Sequence, residues 1–173
     1  MTEPYHERQS RMQCAQHSIN SLLQSHAFTS ADLDSIAIAI GGQLSLQHRW
    51  PLLGNHDINV VMHALASRHL QADWWDVRKG MDDLFKKIQE RRSDMLGLIV
   101  NVEWRSLLTL YLLPSRHYYA LRPTDAPGTW LDLNSHHDEP AILMDGQLRD
   151  KLQEELQKQD AQIFVVNRIA TCE

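Results

Sequence analysis

A cysteine at position 14, a histidine at 117 and an asparagine at 134 are residue types that could do chemistry together, and Gln9 lies just upstream of the first. Brought together by folding, Cys, His and Asn in that order supply a nucleophile, a general base and the group that orients the base. In the run that Cys14 opens, Ala15, Ile19, Leu22 and Leu23 recur at helical spacing. The thiol is therefore expected in the first turn of a helix, where unpaired N–H groups and the macrodipole favour a thiolate. His117 would stabilise that thiolate and protonate the leaving amine, and Asn134 would hold the ring. Gln9, in an expected loop, can join the Cys14 N–H as an oxyanion donor, a role whose loss costs about 3 kcal/mol.

Each residue also has an ordinary reading. A cysteine at a helix start is usually a small buried residue, and ten histidines make any Cys–His pairing cheap. His17, one turn on from Cys14, is a rival base but reads better as a packed support. Cys14 and His17 with His136 and His137 invite a zinc reading, yet the spacing fits no standard finger, so no metal or cofactor is expected. Cys172 reads as a tail thiol, and Trp74 and Trp75 as the rim and core of a strand.

Hairpin arithmetic links two of the candidates. Residues 117–122 and 129–133 read as paired strands around the turn-rich segment 123–128. A symmetric hairpin puts Arg122 opposite Thr129 and His117 opposite Asn134, on one face with Cβ atoms about 5 Å apart.

Helices are expected after Thr29–Ser30 (Leu33, Ile36, Ala37 and Ile40, ending at Gly41–Gly42), over 57–69, over 81–92 and over 143–158. Residues 44–56 read as a loop, and 72–77, 96–101, 107–113 and 163–166 as strands. Helices first and a mostly antiparallel sheet later give an α+β fold class. At 173 residues the chain suits one domain, 1–173, able to bury about 70% of its unfolded surface.

Formal charge is −5, from 22 acidic against 17 basic residues, with no basic block, so nucleic acid is not an expected partner. Two cysteines are too few for a disulfide framework, and no signal peptide, prenylation box or membrane-length apolar run is present. The expectation is a cytoplasmic protein, compatible also with the nucleus, and a monomer.

Longer stretches point to a family. Tyr5-His6-Glu7-Arg8-Gln9, Cys14-Ala15-Gln16-His17, Asn20, Gly54-Asn55-His56-Asp57-Ile58-Asn59, Trp74-Trp75-Asp76, Arg116-His117-Tyr118 and Trp130-Leu131-Asp132-Leu133-Asn134-Ser135 together resemble the Josephin domains, deubiquitinating cysteine proteases related to ataxin. The resemblance spans nearly the whole chain and is strongest to the short Josephin-domain-containing proteins. It implies a papain-like fold, a helical lobe on a mostly antiparallel sheet, that cleaves ubiquitin from lysine side chains or other ubiquitins. By the same resemblance Cys14 is the nucleophile, His117 the base, Asn134 the third catalytic position and Gln9 the oxyanion donor. Ile58, Asn59 and Phe28 fall where the family meets ubiquitin, and the helical arm after Phe28 is short. Two rivals stay open: an idle ubiquitin-binding module, and a papain-like hydrolase or acyltransferase acting on another substrate.

Overall fold

The computed structural model describes residues 3–8, 13–41, 49–50, 55–104, 115–157 and 161–169. Three helices come first: α1 (Cys14–Leu23), α2 (Ser30–Gly41) and α3 (Ile58–Ala66). Between α2 and α3 the two-residue strands β1 (Arg49–Trp50) and β2 (Asn55–His56) pair antiparallel, inside a segment whose sequence reads as loop. Strands of two residues are too short to carry a periodicity, so no pattern announces them. Next come β3 (Leu70–Trp74), a 3-10 turn over Val77–Lys79, α4 (Gly80–Glu90), β4 (Met95–Trp104), β5 (Ser115–Pro123), β6 (Thr129–Leu133), β7 (Ala141–Met144), α5 (Asp145–Gln157) and β8 (Gln162–Arg168). The strand expected over 107–113 lies outside the described residues.

Local signals account for the helix starts. Thr29 and Asp32 cap α2 reciprocally: Thr29 Oγ1 accepts from the Asp32 N–H at 3.2 Å, and the Asp32 carboxylate accepts from the Thr29 N–H at 2.8 Å. Asp57 caps α3, accepting from the N–H groups of Asn59 (2.9 Å) and Val60 (3.2 Å).

The main sheet is six-stranded and antiparallel throughout, in the order β3-β8-β4-β5-β6-β7. Alternation sends successive residues to opposite faces. Phe164 and Val166 of β8 and Tyr118 and Ala120 of β5 meet α1, α2 and α3 in one core. Ile163, Val165, Tyr119 and Leu121 meet α4 and α5 in the other. The α+β class holds, with helices covering both faces of the sheet.

One helix needs more room than the rest. From Cys14 to Leu22 every residue of α1 is buried. It lies lengthwise along β5: Cys14 Sγ reaches the Arg116 carbonyl at one end, and the Arg122 guanidinium donates to the Leu22 carbonyl at the other. A bulge in β4 makes the close approach feasible, because Met95 and Gly97 face the adjacent β8 residues Asn167 and Val166. A Cβ on Gly97 would stand 2.4 Å from the Leu121 carbonyl oxygen and 2.7 Å from Leu22 Cδ1, so only glycine fits.

Candidate active site

Cys14 is the first residue of α1, and its thiol lies 3.5 Å from the carbonyl oxygen of Arg116, the residue before His117 on β5. Burial pushes the thiol above its ordinary value. The backbone N–H groups of Tyr118, Ala15 and Cys14 itself pull the other way without overcoming it. The thiolate favoured by a helix N-terminus is opposed here by burial: at 3% exposure little water reaches the sulfur to solvate a charge. His17 turns to a different partner, with Nδ1 2.6 Å from Glu7 Oε2.

His117 Nε2 and Asn134 Oδ1 are 2.9 Å apart. The same oxygen accepts from the His136 backbone N–H at 3.1 Å, which identifies that end of the Asn134 amide as oxygen. An oxygen here can only accept, so Nε2 carries the proton and the lone pair of the neutral ring sits on Nδ1. Burial, then the nearby His136, holds His117 at about 4, well below an ordinary histidine, while the Asn134 bond pulls modestly upward. The base is neutral at rest.

The contact between His117 and Asn134 forms, but through another register than the symmetric hairpin. In β5–β6, Ala120 faces Leu133 and Arg122 faces Leu131, not Thr129. The turn tightens one step further, with the Thr124 N–H donating to the Thr129 carbonyl at 2.9 Å. The offset is two residues, which preserves the face, so Asn134 becomes a diagonal neighbour of His117 just past the strand end. His136 takes the near position, its ring stacked on His117 with centroids 4.0 Å apart.

Gln9 lies outside the described residues. Of the three positions expected to meet ubiquitin, Asn59 is exposed and Ile58 half-buried on α3. Phe28, the third, is 6% exposed and packs in the core under the Arg68 guanidinium. Trp74 ends β3 and is 55% exposed, whereas Trp75 is buried but lies just past the strand, which stops short of the expected 72–77.

Two residues near the site carried no role in the sequence reading. The Glu7 carboxylate takes hydrogen bonds from Tyr5 (2.6 Å), His17 (2.6 Å), Asn20 (2.9 Å) and His26 (3.0 Å). Burial alone would raise this carboxyl, but those donors outweigh it and hold it at about 2. Glu7 fastens the N-terminal segment along α1, and Arg8 pairs with Asp138 in the loop after β6. That segment therefore bridges the cysteine helix and the asparagine loop. A lone glutamate outside any helix or strand carries no periodic signal. His136, the other, drew notice only as part of a His-His pair. Among the described residues, no group of three or more His, Cys, Asp and Glu side chains is arranged to hold a metal ion, and no helix is long and apolar enough to cross a membrane.

Comparison with known proteins places this geometry in context. The family model described as Josephin matches residues 9–167. Josephin-2 of Homo sapiens is 37% identical over 145 residues, covering 82% of this chain and 73% of that protein. A Josephin-like protein of Drosophila melanogaster is 34% identical over 169 residues, covering 94% and 72%. A Josephin-like protein of Arabidopsis thaliana is 29% identical over 154 residues but is covered over only 41% of its length.

Proposed function

Because this chain belongs to the Josephin family, in general one of deubiquitinating cysteine proteases, we propose that it hydrolyses the bond after the C-terminal glycine of ubiquitin through Cys14, His117 and Asn134. The observation that carries the reading is the meeting of α1 and β5: the thiol touches the backbone next to His117, whose proton-bearing nitrogen is taken by Asn134. The lone pair on Nδ1 is then the base.

Attack begins from a neutral thiol and a neutral imidazole. Sγ bonds to the glycine carbonyl carbon as its proton passes to His117 Nδ1, and the carbonyl electrons move to oxygen. The Cys14 N–H and the Gln9 amide stabilise that oxyanion. On its collapse the C–N bond breaks and His117 gives the proton to the departing lysine amine, leaving a thioester. Water then attacks the thioester as His117 takes a proton from it, the C–S bond breaks, His117 returns that proton to the sulfur, and the ubiquitin acid ionises to solvent and leaves as a carboxylate. No step calls on a metal or organic cofactor. The same reading takes residues 1–173 as one catalytic domain working as a monomer.

A second reading has one observation in its favour. A thiol and an imidazole both buried to 3% exposure would also suit an idle site in a ubiquitin-binding module. One experiment separates the two: ubiquitin carrying a C-terminal electrophile is offered to the wild-type chain and to Cys14→Ala, His117→Ala and Cys172→Ala. Adduct formation that is lost in Cys14→Ala, slowed in His117→Ala and unchanged in Cys172→Ala supports the protease. Binding without adduct supports the module. Neither binding nor adduct points to a hydrolase for another substrate.

A further inference from the structure

A second imidazole covers the first. The ring of His136 lies over that of His117, with centroids 4.0 Å apart and planes inclined by 21°. Asn134 sets this up: one oxygen accepts from the His136 N–H in an Asx turn and from His117 Nε2–H. It thereby holds the edge of the base and the backbone from which the covering ring projects. We propose that His136 is a positioning residue whose neutral ring holds the plane of the His117 base and whose protonation suppresses that base. The proposal rests on the cysteine-protease reading, in which His117 must become an imidazolium during each half-reaction.

A flat ring at stacking distance blocks rotation of the His117 imidazole out of the plane that Asn134 requires. When the covering ring is neutral, its π face meets the imidazolium favourably. When it is protonated, two cations are stacked, and proton transfer to His117 is opposed. The directions agree: His136 contributes to holding His117 low, and burial followed by His137 holds His136 itself below 6.5.

Other charged groups stand on the elements around the pair, of which Lys151 and His137 act on His117. They are Lys151 of α5 and Asp132 of β6, joined at 3.1 Å; His137, 4.0 Å from that same carboxylate; and Asp138 with its partner Arg8. His6 Nε2 lies 3.0 Å from the His137 carbonyl, and Glu154 and Glu155 of α5 act on the neighbouring Tyr119.

Two variants divide ring from charge. His136→Phe keeps a flat ring over His117 that cannot ionise, and His136→Ala removes both. With a fluorogenic C-terminal derivative of ubiquitin, H136A is expected to lose about tenfold in kcat with little change in KM. H136F is expected to lose less kcat than H136A above neutral pH and to lose part of the fall in kcat on the acid side. The second readout needs no substrate: in an NMR titration of ring resonances, the His117 midpoint moves up in H136F. An unmoved His117 midpoint in H136F overturns the proposal whatever the kinetics show. If the wild-type chain fails to cleave the ubiquitin derivative, the protease reading fails, while the ring titration still decides whether His136 governs His117.

Discussion

At Cys14 burial penalises the charge while the amides of Tyr118, Ala15 and Cys14 draw the thiol toward ionisation, and the net shift is upward from 9.0. The consequence is measurable in the substrate-free protein. Alkylation of Cys14 by iodoacetamide should accelerate steadily as pH rises past neutrality, because the thiolate fraction is still growing there. A rate already level across mildly acid pH would mean a preformed ion pair and would contradict the neutral resting state. Asn134 acts differently, through geometry alone. Asn134→Ala removes the acceptor shared by His117 Nε2 and the His136 N–H. With the ring released, kcat on a ubiquitin C-terminal substrate should fall about 10²-fold while KM changes little. A matching rise in KM would assign Asn134 to substrate binding instead.

Among the elements, the approach of α1 to the sheet sets the strictest demand. Gly97→Ala would drive a Cβ into the Leu121 carbonyl and Leu22, and backbone cannot yield as a side-chain tip can. A loss of about 1–3 kcal/mol in urea unfolding is expected. The N-terminal segment makes a pH-dependent contribution through Glu7, whose folded value of about 2 lies below its ordinary 4.5. The unfolded chain binds this proton first, so the stability is complete above 4.5 and is lost as pH falls toward 2. Glu7→Gln should therefore lower stability at neutral pH by about 1–2 kcal/mol, partial exposure to solvent reducing the effect, and should flatten its decline over that acid window. An unchanged decline would show that Glu7 is not its source. These two features were illegible in the chain for a physical reason: a bulge and a tethered segment are made by tertiary contacts, and neither has a period. Helices α1 to α5 were legible because each repeats its apolar residues on one face. Strand β7 was not, since Ala141-Ile142-Leu143-Met144 is a continuous apolar run that reads equally as the start of the helix following it. The β5–β6 register missed by two residues, yet His117 and Asn134 still met, because parity alone decides the face.

For the molecule as a whole, the two hydrophobic cores are separate in space but share one set of strands. Ile99 and Leu98 are neighbours on β4 yet belong to opposite cores, as are Phe164 and Val165 on β8 and Tyr118 and Tyr119 on β5. Melting the face under α4 and α5 would strip one side of β4, β5 and β8. A sheet with a single covered face would then have to hold α1 in place. Leu148 of α5 is fully buried in the core opposite Cys14, so Leu148→Ala tests whether the faces can part. It should cost about 2–5 kcal/mol. Tryptophan fluorescence reports the second core through Trp75 and Trp130, while the reactivity of Cys14 toward a thiol reagent reports the first. In a urea titration of Leu148→Ala both signals should move to the same lower midpoint with equal slopes, as one cooperative unit requires. A fluorescence midpoint that drops while Cys14 stays protected would show two independently melting layers. The nucleophile helix would then owe nothing to the face behind the sheet.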